Sequence, residues 1–280
     1  MKRYAMNQRL RISKLTLTLL AGHLLSLLPL LANAGLEEGL QAYEMRDYET
    51  AYSELMPLVS EGSVEAQYIL SRMYRSGQYV DLDMAAGAQM LSMAAEQGHG
   101  PAQRELANMY LIGIGVGRNA VEAMRLMTGA AEQGLADAQQ ELGIIYQSGT
   151  VSDPDYEAGL MWLQRAADQD YLPAIHSLGM MHYFGQGGEI NLIEAERMFR
   201  MAAQQGYAQS QYQLGAMYHQ GQWLMKDLVK AAMWINVAAA NGNSSARLMQ
   251  RSLEEEMTEV QVEEARGMAV ACRARGYSEC

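Results

Sequence analysis

Residues 135–170 read LADAQQELGIIYQSGTVSDPDYEAGLMWLQRAADQD, and this stretch decides the fold. Ala138, Leu142 and Tyr146 stand at i, i+4 and i+8, one stripe of a 3.6-residue period, so the first part forms an amphipathic helix. Gly149 comes just after the tyrosine, where the chain must leave the helix through a left-handed conformation that glycine enters freely. Asp155 then offers a side-chain oxygen to the unpaired N–H groups of a second helix. Late in that helix the small pair Ala166-Ala167 lets a neighbouring backbone approach closely. The stretch reads as two antiparallel helices joined by a turn.

The pattern recurs in register. Segments 63–98, 99–134, 171–206 and 207–242 align with 135–170 without a gap. The fourth position carries Ala66, Ala102, Ala138, Ala174 and Ser210, and the eighth Leu70, Leu106, Leu142, Leu178 and Leu214. The twelfth carries Tyr74, Tyr110, Tyr146, His182 and Tyr218, and the fifteenth is Gly77, Gly113, Gly149, Gly185 and Gly221. Asp83, Asn119, Asp155, Asn191 and Asp227 stand where a second helix needs an N-cap. Glu122 and Glu194, three residues beyond Asn119 and Asn191, are expected to complete capping boxes. Gly98, Gly134, Asp170, Gly206 and Gly242 close the units. The expected fold class is therefore all-α, a solenoid of antiparallel helix pairs.

These residues resemble the Sel1-like repeat, a relative of the tetratricopeptide repeat. Its pattern A-x-x-x-L-G-x-x-Y-x-x-G…D…A-x-x-W-x-x-x-A-A-x-x-G is visible as Ala138, Leu142, Gly143, Tyr146, Gly149, Asp155, Trp162, Ala166 and Ala167. The resemblance covers 63–242 and departs from the pattern locally: His182 replaces the tyrosine, Asp170 the closing glycine, and Met90, Leu126 and Met198 the tryptophan. It implies a right-handed superhelix and a role in protein–protein assembly without catalysis. Residues 35–62 read as a degenerate N-terminal repeat or cap, and 243–280 as C-terminal capping helices with the charged run Glu254-Glu255-Glu256. Solenoid ends need polar outer faces to avoid stacking on other chains.

Residues 1–34 read as an export signal. Lys2, Arg3, Arg9, Arg11 and Lys14 precede an apolar run from Leu15 to Leu31, and Ala32-Asn33-Ala34 supplies small residues for cleavage after Ala34. The run is interrupted by Pro29 and is shorter than the ~20 residues of a membrane span. The mature protein is therefore expected to be periplasmic or secreted. An uncleaved anchor is the alternative. In that compartment Cys272 and Cys280 are expected to form a disulfide tying the tail to the last helix.

Net charge is −11, and because residues 1–34 hold five bases and no acid, the remainder stands at −16. So acidic a body has no electrostatic footprint for nucleic acid. No catalytic motif appears. Gly113-Ile114-Gly115-Val116-Gly117 lacks the lysine of a phosphate loop and falls at the turn between helices. The histidines His99, His176, His182 and His219 have no zinc spacing, although His182 and His219 fall near equivalent positions of adjacent units. Met73, Met109, Met181 and Met217 keep the packing register, whereas a copper-holding protein would cluster thioethers in an exposed loop. Neither a metal nor a cofactor is expected.

Removing the packing positions leaves the sixth, tenth and thirteenth of each first helix, which share one face. They give Tyr68, Arg72 and Arg75; Arg104, Asn108 and Leu111; Gln140, Ile144 and Gln147; His176, Met180 and Tyr183; Tyr212, Ala216 and His219. First helices line the concave side of such a superhelix. Tyr68, Arg72, Arg75, Arg104, Asn108, Gln147, His176, Tyr183, Tyr212 and His219 are thus the candidate partner-binding stripe, cationic at its start and aromatic at its end. Trp223, in an inter-helix loop, is a separate candidate contact. The expected function is a non-catalytic scaffold holding a protein or peptide with an acidic portion. Alternatives are a component of a cell-envelope or exopolysaccharide-export assembly, and a hydrolase acting on cell wall or β-lactams. The resemblance ties hydrolase activity to relatives with cysteine pairs inside their repeats, and these repeats contain none.

Overall fold

The computed structural model describes residues 34–221, 223–278 and 280, and the described chain is helical throughout. The expected leader, Ala34 apart, lies outside the described residues. Two helices, α1 over 34–44 and α2 over Tyr48–Ser60, come first. The repeats follow as α3 (Val64–Ser76) with α4 (Met84–Glu96), α5 (Gly100–Ile112) with α6 (Ala120–Glu132) and α7 (Ala136–Ser148) with α8 (Tyr156–Ala167). Then come α9 (Leu172–Phe184) with α10 (Leu192–Ala203) and α11 (Ala208–Gln220) with α12 (Leu228–Ala240). The end of the chain is α13 (Ser244–Glu256) and α14 (Glu259–Ala274). The chain divides into two compact units, with the boundary inside α6 after Leu126.

The recurring residues explain the helix ends. Gly77, Gly113, Gly149, Gly185 and Gly221 all terminate first helices in the left-handed conformation. At the closing position Asp170 takes the same conformation as the glycines it replaces, with φ 57°. Side chains of Asp83, Asn119, Asp155, Asn191 and Asp227 accept hydrogen bonds from the first-turn N–H groups of α4, α6, α8, α10 and α12. The backbone N–H of each of these caps also donates to the carbonyl of Tyr74, Tyr110, Tyr146, His182 or Tyr218. Because that bond is made by backbone alone, His182 can stand in for tyrosine.

The expected capping boxes are not made. Glu122 and Glu194 turn away from the cap backbone and pair with Arg125 and Arg197 one turn on. The N–H groups of Asn119 and Asn191 already donate to the Tyr110 and His182 carbonyls, so the donor a capping box needs is taken. A capping box does form at α14, between Thr258 and Gln261.

In the first unit the core joins Ala51, Leu55 and Leu58 of α2 to Ala66, Leu70 and Met73 of α3. In the second, Leu163, Leu178 and Met181 form one cluster, and Phe199, Leu214 and Trp234 another. Met73, Met109, Met181 and Met217 are all buried, so the eleventh position is a packing position. Gly179 is required by proximity, since a Cβ there would sit 2.7 Å from the Phe199 ring.

Buried glutamines add a polar clamp that the sequence reading missed. Gln67, Gln139 and Gln211 accept from Gln97, Gln169 and Asn241 at 2.8–2.9 Å. Gln139 and Gln211 also donate to the carbonyls of Ala131 and Ala203. Gln103, at the same repeat position, donates to Ala95. The amides of Gln103, Gln139 and Gln211 thereby give the Ala95, Ala131 and Ala203 carbonyls a second donor beside the backbone N–H groups of Gly98, Gly134 and Gly206, and tie the end of one helix to the start of the next.

At the C terminus α14 lies along α12. Cys272 and Cys280 are joined in a disulfide, and Cys272 sits in the cluster with Phe199 and Trp234. Tyr277 hydroxyl donates to Asn241, which brings the tail back to α12.

Candidate functional site

The sixth and thirteenth positions of the first helices are mostly occupied with their neighbours. In the first unit, Tyr68 hydroxyl donates to Glu105 at 2.6 Å, and Arg75 pairs with the same carboxylate. Burial works to raise the Glu105 carboxyl. The hydrogen bonds from Tyr68 and Arg75, with the charges of Arg75 and Arg104, outweigh it and hold the group below its usual range. Burial and the same carboxylate push Tyr68 up to about 12. His99 packs against Tyr68 with the rings tilted and their centroids 4.7 Å apart, and caps α5 by accepting from Ala102. Arg72 is exposed and lies over the Tyr43 ring at 5.4 Å. Asn108 is half-buried on α5 and has a partner of its own.

The cationic end of the stripe therefore carries an internal acid. Glu105 balances Arg75 and draws on Arg104, so of the three arginines Arg72 is the one turned outward. Sequence reasoning missed Glu105 because it lies at the seventh position, one outside the stripe. The usable signal was its place 37 residues after Tyr68.

In the second unit the same offset recurs. Tyr183 hydroxyl donates to Gln220 at 3.0 Å, and His219 bonds to Glu256 at 2.8 Å, each 37 residues on. Gln147 donates to Gln186. His219 is thus paired with a carboxylate on α13 and not with His182. His176 is packed inside: its Nδ1 meets Ser210 Oγ at 3.0 Å, between the rings of Phe199 and Tyr207. Burial pulls it down to about 4, so at neutral pH it is an uncharged packing residue.

What remains open in this unit is a cleft of about 300 Å³ between α9 and α11, lined by Tyr183, Phe184, Tyr212, Gln213, Ala216 and Gln220 among others. Tyr183 and Phe184 meet edge to face at 5.2 Å. Trp223 flanks the cleft through Tyr183, Met217 and Gln220 and keeps 48% of its surface exposed. Phe184 is 58% exposed, an unusual exposure for phenylalanine, and it lies outside the stripe read from the sequence. The structure thus joins Tyr183, Tyr212 and Trp223 with Phe184 around one cleft. Among the described residues no group of three or more His, Cys, Asp or Glu side chains is placed to hold a metal ion. None of the described helices is long and apolar enough to cross a membrane.

The Sel1 repeat family model matches residues 64–99, 100–135, 136–171, 172–207 and 208–243. The chain belongs to the Sel1 repeat family. The matched frames lie one residue later than those read from the sequence. Among solved structures, the chain is similar to a Sel1 repeat protein from Oxalobacter formigenes, at 26% identity and a TM-score of 0.74, over 88% of this chain and 97% of that one. It is also similar to c5321, a protective antigen of uropathogenic Escherichia coli, at 21% identity and a TM-score of 0.48, over 88% and 70% of the two chains. A Sel1 repeat protein from Klebsiella pneumoniae matches at 22% and 0.48, over 72% and 98%. No curated protein matches the chain. The fold is the all-α Sel1 solenoid, and Sel1 repeats serve in general as non-catalytic scaffolds for protein interaction.

Proposed function

We propose that this chain is a non-catalytic scaffold, exported to the periplasm or beyond by the segment 1–34, that grips a partner protein segment in the cleft between α9 and α11. The observation that carries this reading is the cleft itself. Its lining combines the rings of Tyr183, Phe184 and Tyr212 with Ala216 and Met217, and its polar groups are the two tyrosine hydroxyls and the amides of Gln213 and Gln220. Aromatic walls with a few amides suit one large apolar side chain and the backbone on either side of it. No cationic side chain is among the residues lining the cleft, which disfavours an acidic anchor.

A photocrosslinking amino acid at Phe184 tests the reading in cells, with the same substitution at exposed Leu248 on α13 as control. A discrete adduct from position 184 that disappears with Tyr212→Ala supports the cleft. No adduct, or the same adducts from both positions, rejects it. Export is tested separately by the mass of the mature N terminus, expected at Gly35.

A further inference from the structure

Where α14 lies along α12, a trough of about 340 Å³ opens, lined by Asn236 of α12, Gln250 of α13, and Arg266, Ala269, Val270 and Arg273 of α14. Its polar groups are unevenly used. Gln250 Nε2 donates to Asn236 Oδ1 at 2.8 Å, which leaves Asn236 Nδ2 and Gln250 Oε1 without a partner among the described residues. Arg266 is committed to two carboxylates, Glu254 at 2.9 Å and Glu263 at 2.8 Å. Arg273, exposed in the last turn of α14, makes no hydrogen bond or ion pair among the described residues. Between the amides and Arg273 the surface is apolar, with Ala269 buried and Val270 68% exposed.

We infer that this trough binds the C-terminal carboxylate of a peptide. Three features in one small space match the three parts of a chain end. A neighbouring amide donor and acceptor complement the last peptide group, which has one N–H and one C=O. The Ala269–Val270 surface accepts a small apolar side chain. The uncompensated guanidinium of Arg273 complements the terminal carboxylate through charge-assisted bonds. The trough's volume lies at the low end of small-ligand sites, room for about one or two residues. This site is separate from the cleft between α9 and α11 and does not depend on it.

The test is a titration of isotope-labelled protein, following the side-chain amides of Asn236 and Gln250 by NMR. Three probes are compared: acetyl-Ala-Ala-Val with a free carboxylate, the same peptide as its C-terminal amide, and sodium acetate. The free acid is expected to shift both amides saturably, and the peptide amide to bind about tenfold more weakly or not at all, as loss of a charge-assisted bond requires. Arg273→Gln should weaken the free acid by a similar factor. Arg275→Gln, which removes a nearby charge outside the trough, should leave it unchanged. No shift with the free acid, equal binding by the peptide amide, equal shifts with acetate, or an Arg273→Gln protein that binds normally would each overturn the assignment.

Discussion

His176 should make this protein weaken at mildly acid pH. Its ring is enclosed by Phe199, Tyr207 and Ser210, and no charged group bonds to it. Protonation would place a cation where only a hydroxyl can answer it, and burial lowers the folded-state value to about 4 from the ordinary 6.5. Between those two values the unfolded chain binds a proton that the folded chain refuses, so stability falls with falling pH. Above pH 6.5 both states are neutral and the full stability is present. At about 1.4 kcal/mol for each pH unit between the two values, the loss reaches ~2.5 kcal/mol by pH 4.5. Urea denaturation at pH 7.5 and pH 4.5, on the natural protein and on His176→Gln, isolates this group from the other histidines. The natural protein should lose ~2.5 kcal/mol more than the variant over that interval. An NMR titration should find the His176 ring neutral down to about pH 4. A ring that titrates near 6.5, or two proteins with the same acid sensitivity, would refute the reasoning.

Three further outcomes are expected. Glu105→Ala removes the shared acceptor of Tyr68 and Arg75 and should cost about 1–2 kcal/mol in denaturant unfolding, less than a fully buried pair because both side chains keep some solvent. Glu105→Gln, which keeps an acceptor for Tyr68, should recover part of that loss. Gly179→Ala drives a methyl into the Phe199 ring and should cost roughly 1–3 kcal/mol, and Phe199→Leu should relieve some of it in the double variant. Asp170→Gly frees a left-handed position from its side chain and should stabilise by about 0.5–1 kcal/mol; a destabilised Asp170→Gly protein would mean that the aspartate does something there besides turn.

The repeat was legible because its residues act locally. A glycine that ends a helix, an Asp or Asn that starts one, and an Ala-Leu stripe between them each work through the few residues around them, so their spacing alone reveals two helices per unit. Glu122 and Glu194 show how far that goes. The spacing allowed two capping boxes, but both cap N–H groups bond to the Tyr110 and His182 carbonyls from the preceding helix, and the acids pair with arginines instead. Thr258 and Gln261 have the same spacing and form their box, the Thr258 N–H donating to Gln261 Oε1 at 3.0 Å.

The candidate surface was legible only as a list. Periodicity placed Tyr68, Arg75, His176, Tyr183 and His219 on one helical face, and helical geometry alone determined that much. Which of them remain open was decided by the next helix in the stack. Glu105 draws in Tyr68 and Arg75, Ser210 and Phe199 enclose His176, and Glu256 holds His219. Phe184 and Trp223 stay exposed beside Tyr183. A repeat pattern reports what every unit shares, which is backbone geometry and core. A binding surface consists of the side chains left over after each unit has bonded to its neighbour, and those bonds join residues 30 to 39 positions apart that meet only once the helices have packed.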